Sequence, residues 1–214
     1  MEPRRGARAR LAAWALVPVL AGCGASPGGS AEKPEPSSSA AAGSSPGPIG
    51  SPAVNPDLSR YAAQVRARAG EAGVDPLLVM AILDNESYKP HDPELERAWQ
   101  KLKPDAAFGV ANMHRATFDQ TKRGRSFSGR RWEQLPDDPD LAIQAESWYL
   151  HDLAAQLPPS HGSYRAGELL ALGYNTGPGT MKAFAKGAKP GPQAQSYLDR
   201  FRADQAKAAA ALGP

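Results

Sequence analysis

Glu86 is the side chain of this sequence best suited to acid and base chemistry. It comes three residues after the apolar run that ends at Leu83, and Pro90 prevents a helix from continuing much further. A carboxyl at a helix C-terminus faces the negative end of the helix dipole, and apolar neighbours disfavour its charged form. Both effects raise the pKa of a carboxyl, as a general acid working near neutral pH requires. Taken alone, a glutamate in this position is more often a solvated helix-end residue.

The sequence contains no other pattern that predicts catalysis or cofactor binding. Its histidines lack the spacing of a metal site and are assigned surface or structural roles: His91, His114, His151 and His161. Cys23 is the only cysteine, which excludes an internal disulfide framework and a multi-cysteine zinc site. The Gly-rich stretch 175–180 lacks the Lys-Ser/Thr pair of a phosphate-binding loop and indicates one helix end and the next helix start. We therefore expect neither a cofactor nor a metal.

The net charge of +3 lies in the first 22 residues, which hold four arginines and one glutamate. Residues 57–214 carry 20 basic and 19 acidic groups, so we expect no binding to nucleic acid through general charge attraction. One local cluster predicts either a solvated loop or a patch for an anionic polymer. Its members are Lys122, Arg123, Arg125, Phe127, Arg130, Arg131 and Trp132.

Two segments begin with the same helix-start signal. Asp75 and Asp138 are each followed by proline, the pattern of an N-cap and a first helical residue. The first signal predicts a helix to about Ser87 that is buried on all sides, because residues 77–83 are all apolar. The second predicts a helix with one apolar face that ends before Pro158.

Helical periodicity of apolar residues continues through the rest of the region 57–214. It predicts further helices over residues 61–72, 164–174, 178–184 and 193–211, joined by turns rich in Gly and Pro. Between Lys89 and Arg131 the pattern is mixed and predicts no definite element. We therefore expect one all-α domain formed by residues 57–214.

The N-terminus predicts a secretion signal followed by a lipid attachment site. Residues 1–10 are rich in arginine, and the apolar run from Leu11 to Ala21 is about 16 Å long as a helix, half of a hydrocarbon core of ~30 Å. The sequence Leu-Ala-Gly-Cys that ends at Cys23 resembles the lipobox of bacterial lipoproteins. We expect residues 1–22 to be a signal peptide and Cys23 to anchor the protein to the bacterial cell membrane, outside the cytoplasm. An ordinary signal peptide with an incidental cysteine is the alternative.

Residues 23–56 predict a disordered tether behind this anchor. The segment is rich in Ser, Pro, Gly and Ala, and Ile49 and Val54 are its only large apolar residues apart from the cysteine. Such a composition cannot bury enough surface to offset the entropy of ordering the chain. A flexible chain of this length reaches about 30 Å, which lets the domain act away from the membrane.

Three segments in order resemble the transglycosylase SLT domain, a lysozyme-like family of lytic transglycosylases. Residues 73–87 (GVDPLLVMAILDNES) resemble the start of that domain, and residues 171–179 (ALGYNTGPG) resemble its ALAAYNAGPG block. Residues 109–117 (GVANMHRAT) resemble its GLMQLMPAT block more loosely, and Tyr197 begins a pair that stands where YV closes the family domain. The resemblance covers about residues 60–202 and implies a lysozyme-like helical fold.

The resemblance assigns roles to the matching residues. Glu86 matches the catalytic acid and base, and Ser87 matches the hydroxyl residue that follows it. Tyr174 matches the tyrosine whose phenol hydrogen-bonds the catalytic carboxyl, and Asn175 matches the asparagine beside that tyrosine.

The middle block departs from the family pattern. Asn112 replaces a glutamine that reaches the substrate and is one methylene shorter, and the segment 88–108 is longer than usual. We expect Asn112 and the adjacent Met113 to bind substrate, together with Ser87 and Asn175.

The resemblance implies an enzyme that cleaves the β-1,4 bond between N-acetylmuramic acid (MurNAc) and N-acetylglucosamine (GlcNAc) in peptidoglycan. We expect the protein to be a monomer. Glycosidases with two carboxylates need a second acid, and the candidates Asp84, Asp92 and Glu146 fall in no matching position of the family motifs. The implied mechanism uses Glu86 alone, first as acid and then as base toward the C6 hydroxyl, which closes a 1,6-anhydro ring. A hydrolytic muramidase on the same fold and a non-catalytic wall-binding module are the alternatives.

Overall fold

The computed structural model describes residues 57–88 and 91–214. This part of the chain forms two short 3-10 helices (Leu58–Tyr61 and Trp132–Gln134), nine α-helices and one small hairpin. The helices are α1 (Ala62–Ala72), α2 (Pro76–Glu86), α3 (Pro93–Leu102), α4 (Arg115–Thr121), α5 (Pro139–Ala154), α6 (Ala166–Thr176), α7 (Pro178–Ala185), α8 (Pro192–Ala203) and α9 (Gln205–Leu212). The predicted signal peptide, the anchor at Cys23 and the predicted tether lie outside the described residues.

The prediction of an all-α domain is confirmed, with two differences in detail. The strands β1 (Ala107–Phe108) and β2 (Met113–His114) form an antiparallel hairpin in the segment with the mixed pattern. The helix predicted over 193–211 is divided at Asp204 into α8 and α9. Among the described residues, no helix has both the length and the hydropathy that spanning a membrane requires.

The helix-start signals act as the sequence predicts. Asp75 Oδ1 accepts a hydrogen bond from the backbone N–H of Leu77 at 2.8 Å, and Asp138 Oδ1 accepts one from Leu141 at 3.0 Å. Each bond satisfies a backbone donor that the first turn of a helix leaves without a partner. Between α6 and α7 the chain passes through Gly177 with a φ of 86°, a conformation that favours glycine.

Helix α2 is the central helix of the core. It packs against α1, α5, α6, α8 and α9, and all of residues 78–86 are buried. The last three of these, Asp84, Asn85 and Glu86, are polar. Buried polar groups need hydrogen-bond partners, so the end of α2 is where the apolar core gives way to a polar site.

Helix α3 has its polar side turned inward. Its buried residues are Glu96 and Gln100, whereas Leu95, Trp99 and Leu102 are 60%, 53% and 75% exposed. The helix is therefore not attached to the domain through its apolar side chains.

Polar contacts attach α3 instead. Glu96 Oε2 accepts a 2.7 Å hydrogen bond from the backbone N–H of Gly109, and Glu96 Oε1 lies 2.9 Å from Nδ1 of His91. Gln100 Nε2 donates to the backbone carbonyl of Trp132 at 3.4 Å. Through Glu96, α3 contacts the turn that connects the two strands.

Candidate active site

The Glu86 carboxyl lies between two hydrogen-bond donors from different parts of the fold. The residue is 7% exposed. The Tyr197 hydroxyl donates to Oε1 at 2.9 Å, and Asn112 Nδ2 donates to Oε2 at 2.9 Å. Hydrogen bonds donated to a carboxyl stabilise its charged form and fix its orientation. Glu86 is thus a carboxyl with a defined position at the edge of the core.

Asn85, the residue before Glu86, positions α8 for this contact. Its Nδ2 donates to the backbone carbonyl of Tyr197 at 3.0 Å, and its Oδ1 accepts from Nε of Arg200 at 2.9 Å. The Asn85 side chain is 2% exposed, so both bonds lie in a region where polar groups are costly to leave unpaired. The phenol of Tyr197 is therefore held beside Glu86 through the main chain of its own helix.

A tight turn over residues 109–112 presents Asn112 to Glu86. Gly109 has a φ of 75°, and a Cβ at this position would lie 2.9 Å from the backbone carbonyl oxygen of Leu135, which only glycine avoids. The N–H of Asn112 donates to the carbonyl of Gly109 at 2.9 Å. Asn112 itself has a φ of 48°, in the left-handed region that asparagine tolerates better than most residues. Its Oδ1 has no hydrogen-bond partner among the described residues.

Tyr174 does not have the contact that the family resemblance implied. Its hydroxyl donates to the backbone carbonyl of Ala111 at 2.6 Å, and the phenol bonded to Glu86 is that of Tyr197. A phenol has one proton to donate, so Tyr174 holds the turn and leaves the carboxyl to Tyr197. Burial, and then the charges of Glu146 and Glu86, hold the pKa of Tyr174 well above its usual value. Burial and the neighbouring Glu86 have the same effect on the pKa of Tyr197.

Glu146 is a second carboxyl near this site, but it lies within the core. It is on α5, is 0% exposed, and neither of its carboxyl oxygens has a hydrogen-bond partner among the described residues. Burial, and then the charge of Glu86, hold the pKa of Glu146 well above the usual value of a glutamate. Its surroundings therefore favour the neutral form of Glu146, and the residue does not line the cleft described below.

An open cleft of about 1260 Å³ runs beside Glu86. Asn112 lines it from the turn, Asn175 from the end of α6, and Tyr197 from α8. Among the described residues that line the cleft, Glu86 is the only carboxylic acid. The volume exceeds the roughly 300–1,000 Å³ of common small-molecule pockets, so the cleft is large enough for an extended ligand.

Two of the predicted substrate-binding residues lie elsewhere. Met113 is 2% exposed, packs in the core and does not line the large cleft. The Ser87 hydroxyl donates to the carbonyl of Leu83 at 2.7 Å, within its own helix turn, and Ser87 is not among the residues that line the large cleft. Asn112 and Asn175 are the predicted binding residues that the fold brings to it.

The other candidate carboxylates have structural partners. Asp84 Oδ1 lies 2.6 Å from Nζ of Lys207, and the Asp84 side chain is 1% exposed. Asp92 caps α3 by accepting hydrogen bonds from the N–H groups of Glu94 and Leu95. Neither lines the cleft.

The basic cluster predicted between residues 122 and 132 is largely neutralised. Three of its members form ion pairs: Lys122 with Asp119, Arg125 with Asp152, and Arg130 with Asp138. Its aromatic members, Phe127 and Trp132, are 3% and 1% exposed and belong to the core. This arrangement favours the solvated loop over a patch for an anionic polymer.

Sequence reasoning missed the contact between Tyr197 and Glu86. A signal was present, because Tyr197 shares one side of α8 with Ala194, Leu198 and Phe201, all of them buried. A buried phenol needs a hydrogen-bond partner, which the periodicity indicates but does not identify.

One of three comparisons with known proteins found a match. The family model described as the transglycosylase SLT domain matches residues 64–196, more than half of the chain, and Tyr197 is the next residue. A comparison with curated proteins and another with solved structures each found no match. The match confirms the resemblance seen in the sequence and supports a peptidoglycan-acting function of the lytic transglycosylase type. The chain belongs to the transglycosylase SLT domain family.

Proposed function

We propose that the protein is a lytic transglycosylase that cleaves the MurNAc–GlcNAc β-1,4 bond of peptidoglycan, with Glu86 as both acid and base. One observation carries the proposal: Glu86 is the only carboxylic acid among the described residues that line the cleft, and donors from two other elements fix it. The family match supports the substrate class.

In the first step, protonated Glu86 gives its proton to the glycosidic oxygen. The bond between that oxygen and C1 of MurNAc breaks, and GlcNAc leaves with the proton. Positive charge develops at C1, where the N-acetyl oxygen of the substrate stabilises it. The Glu86 carboxylate that results accepts the hydrogen bonds of Tyr197 and Asn112.

In the second step, the Glu86 carboxylate removes the proton of the C6 hydroxyl of MurNAc. The C6 oxygen attacks C1 and closes a 1,6-anhydro ring, which leaves Glu86 protonated as at the start. No water is consumed. Tyr197 and Asn112 keep the carboxyl in place through both steps, because each oxygen has its own donor.

The positions of the other acids support a mechanism with one carboxyl. A second catalytic carboxylate has to lie about 5–9.5 Å from the first and face the sugar. Glu146 is fully buried and Asp84 is paired with Lys207, so neither faces the cleft. The substrate's own groups then supply the stabilisation at C1 and the nucleophile.

Digestion of purified sacculi with the wild type and Glu86→Gln tests the proposal, with mass spectrometry of the released muropeptides. We expect the wild type to release anhydro products one water lighter than hydrolysis products, and Glu86→Gln to release none while unfolding at the same temperature. Glu94→Gln, which changes an exposed carboxyl on α3, is the control and keeps full activity. Full activity of Glu86→Gln contradicts the assignment. Hydrated products identify a muramidase, and binding without release identifies a wall-binding module.

We further propose that the mature protein is a monomer anchored to the cell membrane by acyl chains on Cys23, outside the cytoplasm and facing the wall. The lipobox resemblance of residues 20–23 supports the anchor, and two acyl chains suffice for stable membrane binding. Cys23→Ser should move the protein from the membrane fraction to the soluble fraction of cells. An unchanged distribution contradicts the anchor.

A further inference from the structure

Helix α3 carries an apolar stripe on its outer side. Leu95, Trp99 and Leu102 follow the i, i+4, i+7 spacing that places residues on one side of a helix, and each is more than half exposed. The side of α3 that contacts the domain holds Glu96 and Gln100. The stripe is thus the reverse of an ordinary surface helix, whose apolar side packs on the core.

We propose that this stripe binds the surface of a phospholipid bilayer. A helix with Leu and Trp on one side, lying parallel to the surface, buries those side chains at the boundary between headgroups and acyl chains. Lys101 and Lys103 are exposed at the C-terminal end of α3, on either side of Leu102. Their aliphatic stems can lie along the apolar surface while the ammonium groups reach the headgroup phosphates.

The size and chemistry of the stripe favour lipid over other occupants. A stable protein interface takes about 20–30 residues from each side, and three side chains are far fewer than that. A glycan strand presents hydroxyls that need polar partners, whereas the stripe offers two aliphatic side chains and one indole. A bilayer needs only apolar side chains at the right depth, and weak binding is sufficient where a tether keeps the local concentration high.

The choice of occupant rests on the proposed anchor at Cys23. With the acyl chains in the membrane, a tether of about 30 Å reach lets the domain contact the bilayer as well as extend away from it. α3 also contacts the site, because Glu96 holds the N–H of Gly109 in the turn that presents Asn112. A bilayer bound to the stripe would therefore place that side of the cleft next to the membrane surface.

Quenching of Trp99 fluorescence tests the proposal on the mature lipidated protein. The protein is incorporated in phosphatidylcholine vesicles with and without brominated acyl chains, and the difference between the wild type and Trp99→Phe isolates the signal of Trp99. We expect blue-shifted Trp99 emission that the brominated lipid quenches. Leu95→Ser/Leu102→Ser should abolish this quenching. The control Ala209→Ser/Ala210→Ser, which changes exposed residues of α9, should preserve it.

The contrary outcomes are distinct. Unquenched Trp99 in a protein that is anchored in the vesicles overturns the proposal. Two further results with unquenched Trp99 also overturn it. A dimer in sedimentation that Leu95→Ser/Leu102→Ser abolishes identifies a second copy of the chain as the occupant. Binding to sacculi that the same variant abolishes identifies the wall. Activity on soluble glycan fragments is expected to be unchanged in Leu95→Ser/Leu102→Ser. A missing quench in an active enzyme thus refutes the membrane contact and leaves the proposed function intact.

Discussion

The hydroxyl of Tyr197 donates a 2.9 Å hydrogen bond to Oε1 of Glu86, although 111 positions separate the two residues. Asn85 holds the main chain of Tyr197 in position for this contact, because its side chain donates a hydrogen bond to the backbone carbonyl of Tyr197. The last turn of α2 therefore fixes both the main chain and the side chain of Tyr197.

Tyr197→Phe removes one of the two donors to Glu86. Hydrogen bonds to charged groups contribute about 1.5–3 kcal/mol, so we expect kcat to fall about 10- to 100-fold with little change in KM. Tyr174→Phe is the matched control, because it removes a bond to the Ala111 carbonyl. It should keep most of kcat and lower the free energy of unfolding by about 1 kcal/mol. Steady-state kinetics and thermal unfolding measure both effects, and equal kcat losses would contradict the role of Tyr197.

Asn112 combines a donor to Glu86 with a left-handed backbone, and two substitutions separate these features. Asn112→Gly keeps the conformation and removes the amide. Asn112→Ala removes the amide and also adds strain of about 1 kcal/mol. We expect the same loss of activity in both variants but a lower melting temperature for Asn112→Ala than for Asn112→Gly. Retained activity in Asn112→Gly would show that the amide does not assist Glu86.

Gly109 and Gly124 have nearly the same φ, 75° and 71°, in different surroundings. A Cβ at Gly109 would lie 2.9 Å from the Leu135 carbonyl oxygen, whereas one at Gly124 meets nothing within 4 Å. We expect Gly124→Ala to cost about 1 kcal/mol of stability and keep activity. Gly109→Ala should cost more and reduce kcat, because the turn that carries Asn112 must shift. Urea unfolding and kinetics provide the comparison, and equal behaviour of the two variants refutes the steric argument.

We expect Glu146 to make the stability of the fold depend on pH. Burial, and then the charge of Glu86, raise the folded-state pKa of Glu146 well above its ordinary 4.5. Such a group stabilises the fold fully below its unfolded pKa, and this contribution is lost as the pH rises toward the folded-state pKa. Above about pH 4.5 we therefore expect the wild type to lose stability relative to Glu146→Gln, which stays neutral.

Urea unfolding of both proteins between about pH 4 and 8 measures this difference. The unfolding free energy of Glu146→Gln minus that of the wild type should increase as the pH rises. Glu94→Gln, at an exposed position, serves as the control and should show no such increase. A constant difference for Glu146→Gln would mean that Glu146 ionises as easily in the folded protein as in the unfolded chain.

The helix starts could be predicted from the sequence because each depends on neighbouring residues. Asp75 caps the N–H of Leu77 two positions later, and the apolar run behind it leaves no solvated face for α2. The position of Glu86 at the end of α2 follows from the same signals. Its partner Tyr197 does not, since the contact depends on how α8 docks on Asn85.

The orientation of helix α3 could not be predicted, for a different reason. Periodicity identifies which residues share a side of a helix, but it does not say which side faces the domain. Here Glu96 and Gln100 face inward and bind the backbone N–H of Gly109 and the backbone carbonyl of Trp132. The partner of Tyr174 could not be predicted from its position in the family motif either. The turn brings the Ala111 carbonyl within 2.6 Å of the Tyr174 hydroxyl, which donates to it.

During synthesis of the chain, Glu86 is made before its hydrogen-bond donor Tyr197. The ribosome completes α2 long before it reaches α8, so the acid exists for 111 residues of synthesis without its phenol. A nascent chain that has not reached Tyr197 contains Glu86 and Asn112 but lacks the phenol donor. The same is true of a chain from which proteolysis has removed Tyr197 and the residues after it. Docking of the C-terminal helices is the step that completes the hydrogen bonding of Glu86.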